Sequence, residues 1–184
     1  MAPLVYIVIL NWNDYQSTLA CLESLRSGNY QNYKILVLDN GSTNESVQVL
    51  TDIAGIELHC NPQNQGFAGG NNRAIELALA AGADYIWLLN NDATVEENCL
   101  SRLVETAEQD AQIGLLSPVI YEAGRPGKIQ HCGTRYNLTA ATIDEAQSID
   151  TANSWQTENP YTMALWGTAL LIPRRTIEKI GVLD

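Results

Sequence analysis

Apolar residues fall in short unbroken runs, each closed by polar ones. Residues 4–10, Lys34 to Leu38, Ile56 to Cys60 and Tyr85 to Leu89 are such runs. Continuous rather than alternating apolar positions predict strands buried on both faces, as in a parallel sheet. Between the runs the spacing becomes helical. Leu19, Leu22 and Leu25 follow Asp14 and Ser17, either of which can cap the helix, and Gly28 lies near its end. Ser42-x-x-Glu45 reads as a capping box ahead of Val47, Leu50 and Ile53, with Gly55 as the stop. A third helix is predicted over 68–81, stopping at Gly82. Thr94-x-x-Glu97 reads as another capping box, with Val95, Cys99, Leu100, Leu103 and Val104 facing inward. Ile113 to Ser117 is predicted as a fifth strand. Strands alternating with helices of this length predict an α/β fold: βαβ units, right-handed crossovers and a mostly parallel sheet between helical layers.

The rhythm breaks after Pro118. Residues 121–162 carry turn residues, two short strand candidates and little periodicity, and predict a surface excursion or a small antiparallel addition. Met163 to Ile172 returns to an apolar run, interrupted by Gly167 and Thr168, and Pro173 starts a basic helix through Ile180. A chain of 184 residues is the size of one domain.

Charge narrows the function. Lys plus Arg number 10 against 21 Asp plus Glu, a net charge of -11. Nucleic-acid binding needs a basic footprint that this chain lacks. No apolar run approaches the roughly 20 residues needed to span a membrane. The N-terminal run is too short for a signal segment and has no basic flank, so a cytoplasmic location is expected. Cys21, Cys60, Cys99 and Cys132 are widely spaced and predict buried free thiols. His59 and His131 have no partner at metal spacing and read as structural or surface residues. Arg174, Arg175 and Lys179 read as a solvated helix face, with attraction to an anionic surface as the lesser alternative.

The candidate chemistry lies where the strands end. The first run meets Asn11-Trp12-Asn13-Asp14, the second Asp39-Asn40-Gly41-Ser42, the third Asn61-Pro62-Gln63-Asn64-Gln65-Gly66 and the fourth Asn90-Asn91-Asp92. In open α/β folds ligands bind outside the carboxyl ends of the strands. Oxygen and amide groups there suit a hard cation with a phosphate. Asp92 has two readings: a ligand for Mg²⁺ or Mn²⁺, or a complement to the dipole of the next helix. Asp39 likewise either accepts hydrogen bonds from a ribose or base, or closes an Asx-type turn. Asn64 to Arg73 places Gly66, Gly69 and Gly70 at a helix start, where free N–H groups attract phosphate. Arg73 can add charge there or pair with Glu76. Trp166-Gly167-Thr168 can floor a sugar, or Trp166 can be core. The dinucleotide fingerprint belongs after the first strand, and Asn11 to Asp14 is neither glycine-rich nor basic. That argues against a nicotinamide oxidoreductase and a sugar-phosphate nucleotidyltransferase.

Val8 to Asn13, Leu38-Asp39-Asn40-Gly41-Ser42, Asn64 to Asn71, Leu89-Asn90-Asn91-Asp92, and Gly167-Thr168 to Arg175 with Gly181-Val182-Leu183-Asp184 span nearly the whole chain. Together they resemble the family 2 glycosyltransferases, in the pattern of bacterial rhamnosyltransferase-like enzymes of cell-surface polysaccharide synthesis. The resemblance implies a three-layer, Rossmann-like GT-A fold in a single domain over 1–184. Residues 1–117 would be its nucleotide-sugar-binding half and 118–184 the start of its acceptor half. It implies transfer of a sugar, rhamnose by pattern, from a nucleotide-diphosphate sugar to a saccharide or lipid-linked acceptor, with inversion. Membrane association would be peripheral at most, at the inner face of the plasma membrane.

By the same resemblance Asn11, Asn13, Asp39, Asn40, Gly66, Asn71, Arg73, Asn90 and Asn91 would bind the donor. Asp39 would contact the nucleoside, with help from Arg73. Asp92 would hold a divalent metal, Mn²⁺ or Mg²⁺, as the second carboxylate of the family's Asp-x-Asp signature. Asn90 stands where the first Asp usually lies. Trp166, Gly167 and Thr168 would fall on the acceptor side. The family's catalytic base lies in a Glu-Asp pair shortly after Gly-x-Phe-Asp. The corresponding segment is Gly181-Val182-Leu183-Asp184, so the base is expected beyond Asp184 and the chain is expected to be truncated. A nucleotide-sugar-binding module without transferase activity is the other reading, separable by assay of transfer to a defined acceptor.

Overall fold

The computed structural model describes residues 2–160 and 163–184. Residues 161–162, at the end of the predicted excursion, lie outside that range. The elements run β1 Val5–Asn11, α1 Tyr15–Arg26, β2 Tyr33–Asp39, α2 Ser46–Thr51, β3 Ile56–Cys60, α3 Gly66–Ala80, β4 Tyr85–Asn90 and α4 Cys99–Gln109. They continue with β5 Ile120–Tyr121, β6 Ile129–His131, β7 Thr134–Asn137, β8 Thr142–Glu145, α5 Ile149–Glu158, β9 Met163–Ala164, β10 Ala169–Pro173 and α6 Arg174–Ile180. Contacts divide the chain into two compact units. One runs to Leu116 and resumes over Gly167–Asp184, and the other is Ser117–Trp166.

The first unit is built on a five-stranded sheet of order β10-β4-β1-β2-β3. β1 pairs in parallel with β2 and β4, and β2 with β3, while β10 runs antiparallel to β4. Val5 to Ile9 are buried without alternation, as are Tyr85 to Leu89, because helices cover both faces. Each such Val, Leu or Ile side chain contributes about 1.5–3 kcal/mol on burial. The four predicted parallel strands are present.

The strand expected over Ile113 to Ser117 is absent. Only Leu116 bridges the sheet, to Leu171. Ala169–Pro173, buried at every position, takes the place beside β4. Gly114 interrupts the competing run, whose residues stay half-buried or exposed, and a glycine inside a strand weakens its packing.

Neither predicted capping box forms. The Asp14 carboxylate caps α1, accepting from the Ser17 amide at 3.2 Å. α2 begins only at Ser46, because the Ser42 hydroxyl is bonded to Asp39 instead. α4 begins only at Cys99, because the Val95 amide donates to the Ser24 hydroxyl at 3.1 Å and holds the chain extended there.

The basic helix is present as α6, with Arg175 and Lys179 exposed as expected and Arg174 half-buried, and its arginines also bond to neighbouring carbonyls. Arg174 donates to the Leu79 and Ala83 carbonyls, and Arg175 to the Ala111 and Ile113 carbonyls. They stitch α6 to the end of α3, to the turn before β4 and to the loop after α4.

Gly41 turns the chain after β2 with φ +76°. A Cβ there would lie 2.5 Å from the Gln63 carbonyl carbon. That neighbour is backbone and cannot step aside. Gly41→Ala is expected to cost about 2–4 kcal/mol, read as a lower midpoint in urea unfolding. A loss below about 0.5 kcal/mol would contradict this account of the turn.

The second unit pairs β5 with β6 and forms a three-stranded antiparallel sheet, β8-β7-β9. The antiparallel addition was legible in the sequence, but α5 was not. Only Ala152 of that helix is buried, so it carries almost no apolar periodicity. Its readable signal was the start, where the Ser148 hydroxyl accepts from the Thr151 amide and Asp150 sits in the first turn.

Candidate functional site

Parallel register brings the tips of β1, β2 and β4 side by side. Leu10 lies opposite both Leu38 and Asn90, and Asn11 opposite Asp39. The polar residues that end these strands therefore share one edge, as the sequence predicted.

Their roles differ. Asn11 is buried beneath the edge. Its amide donates to Asp39 Oδ1 at 2.7 Å and Ser42 Oγ at 3.3 Å, and its oxygen accepts from Thr18 Oγ1 at 2.8 Å. Asp39 is 1 % exposed. Its Oδ1 also accepts from Ser42 Oγ at 2.6 Å, and its Oδ2 accepts from the Ser42 amide at 2.9 Å. The turn that the sequence offered as one reading of Asp39 is thus formed. Asn13, at φ 56°, accepts from the Thr43 amide at 2.8 Å and ties the β1 tip to the β2 tip. The left-handed region is one that asparagine tolerates.

Asn40 is a buried hub. Its amide donates to Asn64 Oδ1 at 3.0 Å and the Gly66 carbonyl at 3.1 Å. Its oxygen accepts from Asn61 Nδ2 at 2.9 Å and the Gln65 amide at 3.1 Å. Those bonds fix the loop that leads into α3. Gly66 opens that helix at φ +72°, and its amide donates to Asn64 Oδ1 at 2.7 Å. Asn71 is buried and donates to the Phe67 carbonyl one turn back. Arg73 does not pair with Glu76. One of its terminal nitrogens donates to the Cys60 carbonyl at 3.0 Å and to Asn61 Oδ1. Its remaining N–H groups have no partner among the described residues.

The β4 tip separates its three side chains. Asn91 turns inward, donating to the Asp14 carbonyl and Thr18 Oγ1, each at 3.2 Å. The side chains of Asn90 and Asp92 make no hydrogen bond among the described residues, and Asp92 is exposed. α4 starts at Cys99, so Asp92 is neither its cap nor in its first turn, where a carboxylate complements the dipole most. An exposed, unpartnered carboxylate with one amide beside it suits a cation that also takes phosphate oxygens and water. Among the described residues no cluster of three His, Cys, Asp or Glu forms a closed all-protein metal cage.

Gly167 and Thr168 belong to the first unit, where the Asn90 amide donates to the Thr168 carbonyl at 2.9 Å. Trp166 belongs to the second, its ring stacked on His131 at 4.5 Å between centroids. His131 is buried, its Nε2 has no partner among the described residues, and burial lowers its pKa. The thiols are free, but only Cys21 is fully buried. Burial pushes it up to about 12, with the Asp92 charge adding to the rise, while Cys60 is exposed.

Sequence reasoning passed over two residues here. Trp12, the residue after β1, is 54 % exposed, and Phe67, in the first turn of α3, is 49 % exposed. An aromatic residue flanked by polar strand-tip residues was the available signal.

A mostly parallel sheet with an acidic β4 tip and an antiparallel neighbour defines the GT-A class. The mannosyltransferase PcManGT of Pyrobaculum calidifontis, solved with GDP-Man and Mn²⁺, superposes with a TM-score of 0.73 at 16% identity, covering 100% of this chain and 48% of that one. The chain belongs to the Glycosyl transferase family 2, whose profile matches residues 6–181. It is 26% identical to the glycosyltransferase GlyG of Streptococcus pneumoniae, over 61% of this chain and 38% of the relative. It is 28% identical to the dTDP-rhamnosyl transferase RfbF of Shigella flexneri, over 54% of this chain and 33% of the relative. The chain thus spans well under half the length of these curated relatives.

Proposed function

We propose that this chain binds a nucleotide-diphosphate sugar together with Mn²⁺ or Mg²⁺, as the donor half of an inverting glycosyltransferase. The acceptor would be a saccharide or a lipid-linked saccharide in cell-surface polysaccharide synthesis. The likeness to RfbF supports rhamnose as the transferred sugar. No helix among the described residues is long and apolar enough to cross a membrane. The proposed place of action is the cytoplasm, at the inner face of the plasma membrane.

The observation that carries the proposal is the pair Asn90 and Asp92, free of internal bonds at the β4 tip beside the buried mesh of Asn11, Asp39 and Ser42. The mesh spends its polar groups on holding the edge rigid. Asp92 and Asn90 are left to face the ligand. The bound cation would act as a Lewis acid on the leaving diphosphate. Asp92 would hold that cation, and the unpartnered N–H groups of Arg73 together with the N-terminus of α3 would add positive potential. Asp39 Oδ2 accepts one hydrogen bond and keeps capacity for a ribose hydroxyl or base N–H. Trp12 offers the base a face to stack on.

Thermal unfolding with UDP, dTDP and GDP, each with and without Mn²⁺, tests the proposal. A ligand at 100 times its dissociation constant stabilises by about 2.7 kcal/mol. A metal-dependent rise with one nucleotide is expected. No rise with any of them would sink the donor-site reading. Trp12→Ala should weaken the responding nucleotide by about tenfold while leaving the free protein's melting unchanged.

A further inference from the structure

We infer that Phe67 is the platform on which the donor's sugar ring packs, with Gly167 as the residue that makes room for it. This rests on the donor-site reading above and adds the subsite beyond the diphosphate.

The order of elements along the edge supplies the argument. β1 stands next to β4, and β10 lies on the far side of β4. Trp12 extends the β1 tip, Asp92 extends the β4 tip, and Gly167 precedes β10. Phe67, from the start of α3, reaches Gly167. A Cβ on Gly167 would lie 3.3 Å from Phe67 Cζ and 3.7 Å from Cε1. The ring edge therefore rests on backbone that has no side chain, while about half of the residue stays open to solvent. The Asn90 amide bonded to the Thr168 carbonyl at 2.9 Å holds that backbone to the metal-binding tip. The edge thus reads aromatic, carboxylate, aromatic. A nucleotide sugar reads base, diphosphate, sugar. With the base on Trp12 and the diphosphate at Asp92, the sugar falls beside Phe67.

The chemistry matches. A pyranose presents C–H bonds on its faces and hydroxyls around its rim. An aromatic face beside polar groups binds such a ring by burying the C–H face and leaving the hydroxyls to hydrogen-bond. A β-carbon on residue 167 would press on the ring and tilt it.

The test compares bare and sugar-bearing nucleotides by calorimetry with Mn²⁺: UDP with UDP-glucose, GDP with GDP-mannose, and dTDP with dTDP-rhamnose. Wild type, Phe67→Ala, Phe67→Tyr and Gly167→Ala are measured with whichever pair binds wild type. In Phe67→Ala the sugar nucleotide should weaken by about five- to tenfold while the bare nucleotide changes by less than about twofold. Phe67→Tyr should bind as wild type, and Gly167→Ala should show a smaller selective loss. Equal affinity of Phe67→Ala and wild type for the sugar nucleotide would overturn the inference and leave the donor site standing. So would an equal loss for both ligands. A wild-type protein that binds no nucleotide would instead remove the donor-site reading, and this inference with it. Melting of the free variants confirms that each is folded.

Discussion

Asp92→Ala is expected to weaken Mn²⁺-dependent nucleotide binding by about 100-fold or more and to leave folding untouched. Two observations set that expectation. The carboxylate is exposed and makes no hydrogen bond among the described residues, so the fold loses no contact with it. Surface substitutions of this kind stay within about 0.5 kcal/mol. The only other free side chain at the β4 tip is Asn90, a neutral amide that cannot replace a carboxylate's charge. Asp92→Asn should behave like Asp92→Ala, because charge and not shape binds the cation. Asn91→Ala should show the reverse pattern: a modest loss of stability, from the two bonds to Asp14 and Thr18, with the metal effect retained. Calorimetry with and without Mn²⁺ separates the cases. Unchanged metal dependence in Asp92→Ala would move the cation elsewhere on the edge.

Asn40→Ala is expected to destabilise the chain by about 2–4 kcal/mol, a drop in melting temperature of roughly 5–15 °C. Asn40 is buried and uses both ends of its amide on the β3–α3 loop. Truncation strands the Asn61 amide, itself buried, and leaves the Gln65 N–H without its acceptor. An unsatisfied buried polar group costs more than the net worth of the bond it loses. The same loop carries the start of α3, so nucleotide affinity should fall with stability. Asn40→Asp keeps an acceptor for Asn61 and Gln65 but loses the donor to Asn64 and Gly66, and should land between wild type and alanine. A midpoint within about 1 kcal/mol of wild type would show that the loop holds itself.

Asn40 illustrates what could not be read in advance. In the sequence it looked like one more polar residue at a strand tip, equivalent to Asn90. The structure buries one amide in a hub and leaves the other bare. Asn11, Asp39 and Asn71 went the same way as Asn40. All are buried with internal partners, although Asp39 Oδ2 accepts only one hydrogen bond and keeps room for a second. Type and position along a strand do not reveal whether a side chain spends its hydrogen bonds on the fold or keeps them for a ligand. Arg73 shows the same limit, since Glu76 was its neighbour in sequence but Cys60 and Asn61 are its partners in space.

Local pattern alone determined the four parallel strands, the main helices between them and the polar edge. Unbroken apolar runs can be buried only between two covering layers, and parallel strands bring their carboxyl ends to one side. The antiparallel β10 beside β4 was decided by tertiary competition, because Ala169–Pro173 seals that side better than a run broken by Gly114. The late start of α4 was decided the same way, when the Val95 amide found Ser24 across the fold, whereas α2 starts late because Ser42 closes a local turn with Asp39. The order aromatic, carboxylate, aromatic along the edge also exists only in three dimensions. It comes from strand order, which sets residues 12, 92 and 167 along one side, and from α3, whose Phe67 meets Gly167 a hundred residues on in the chain.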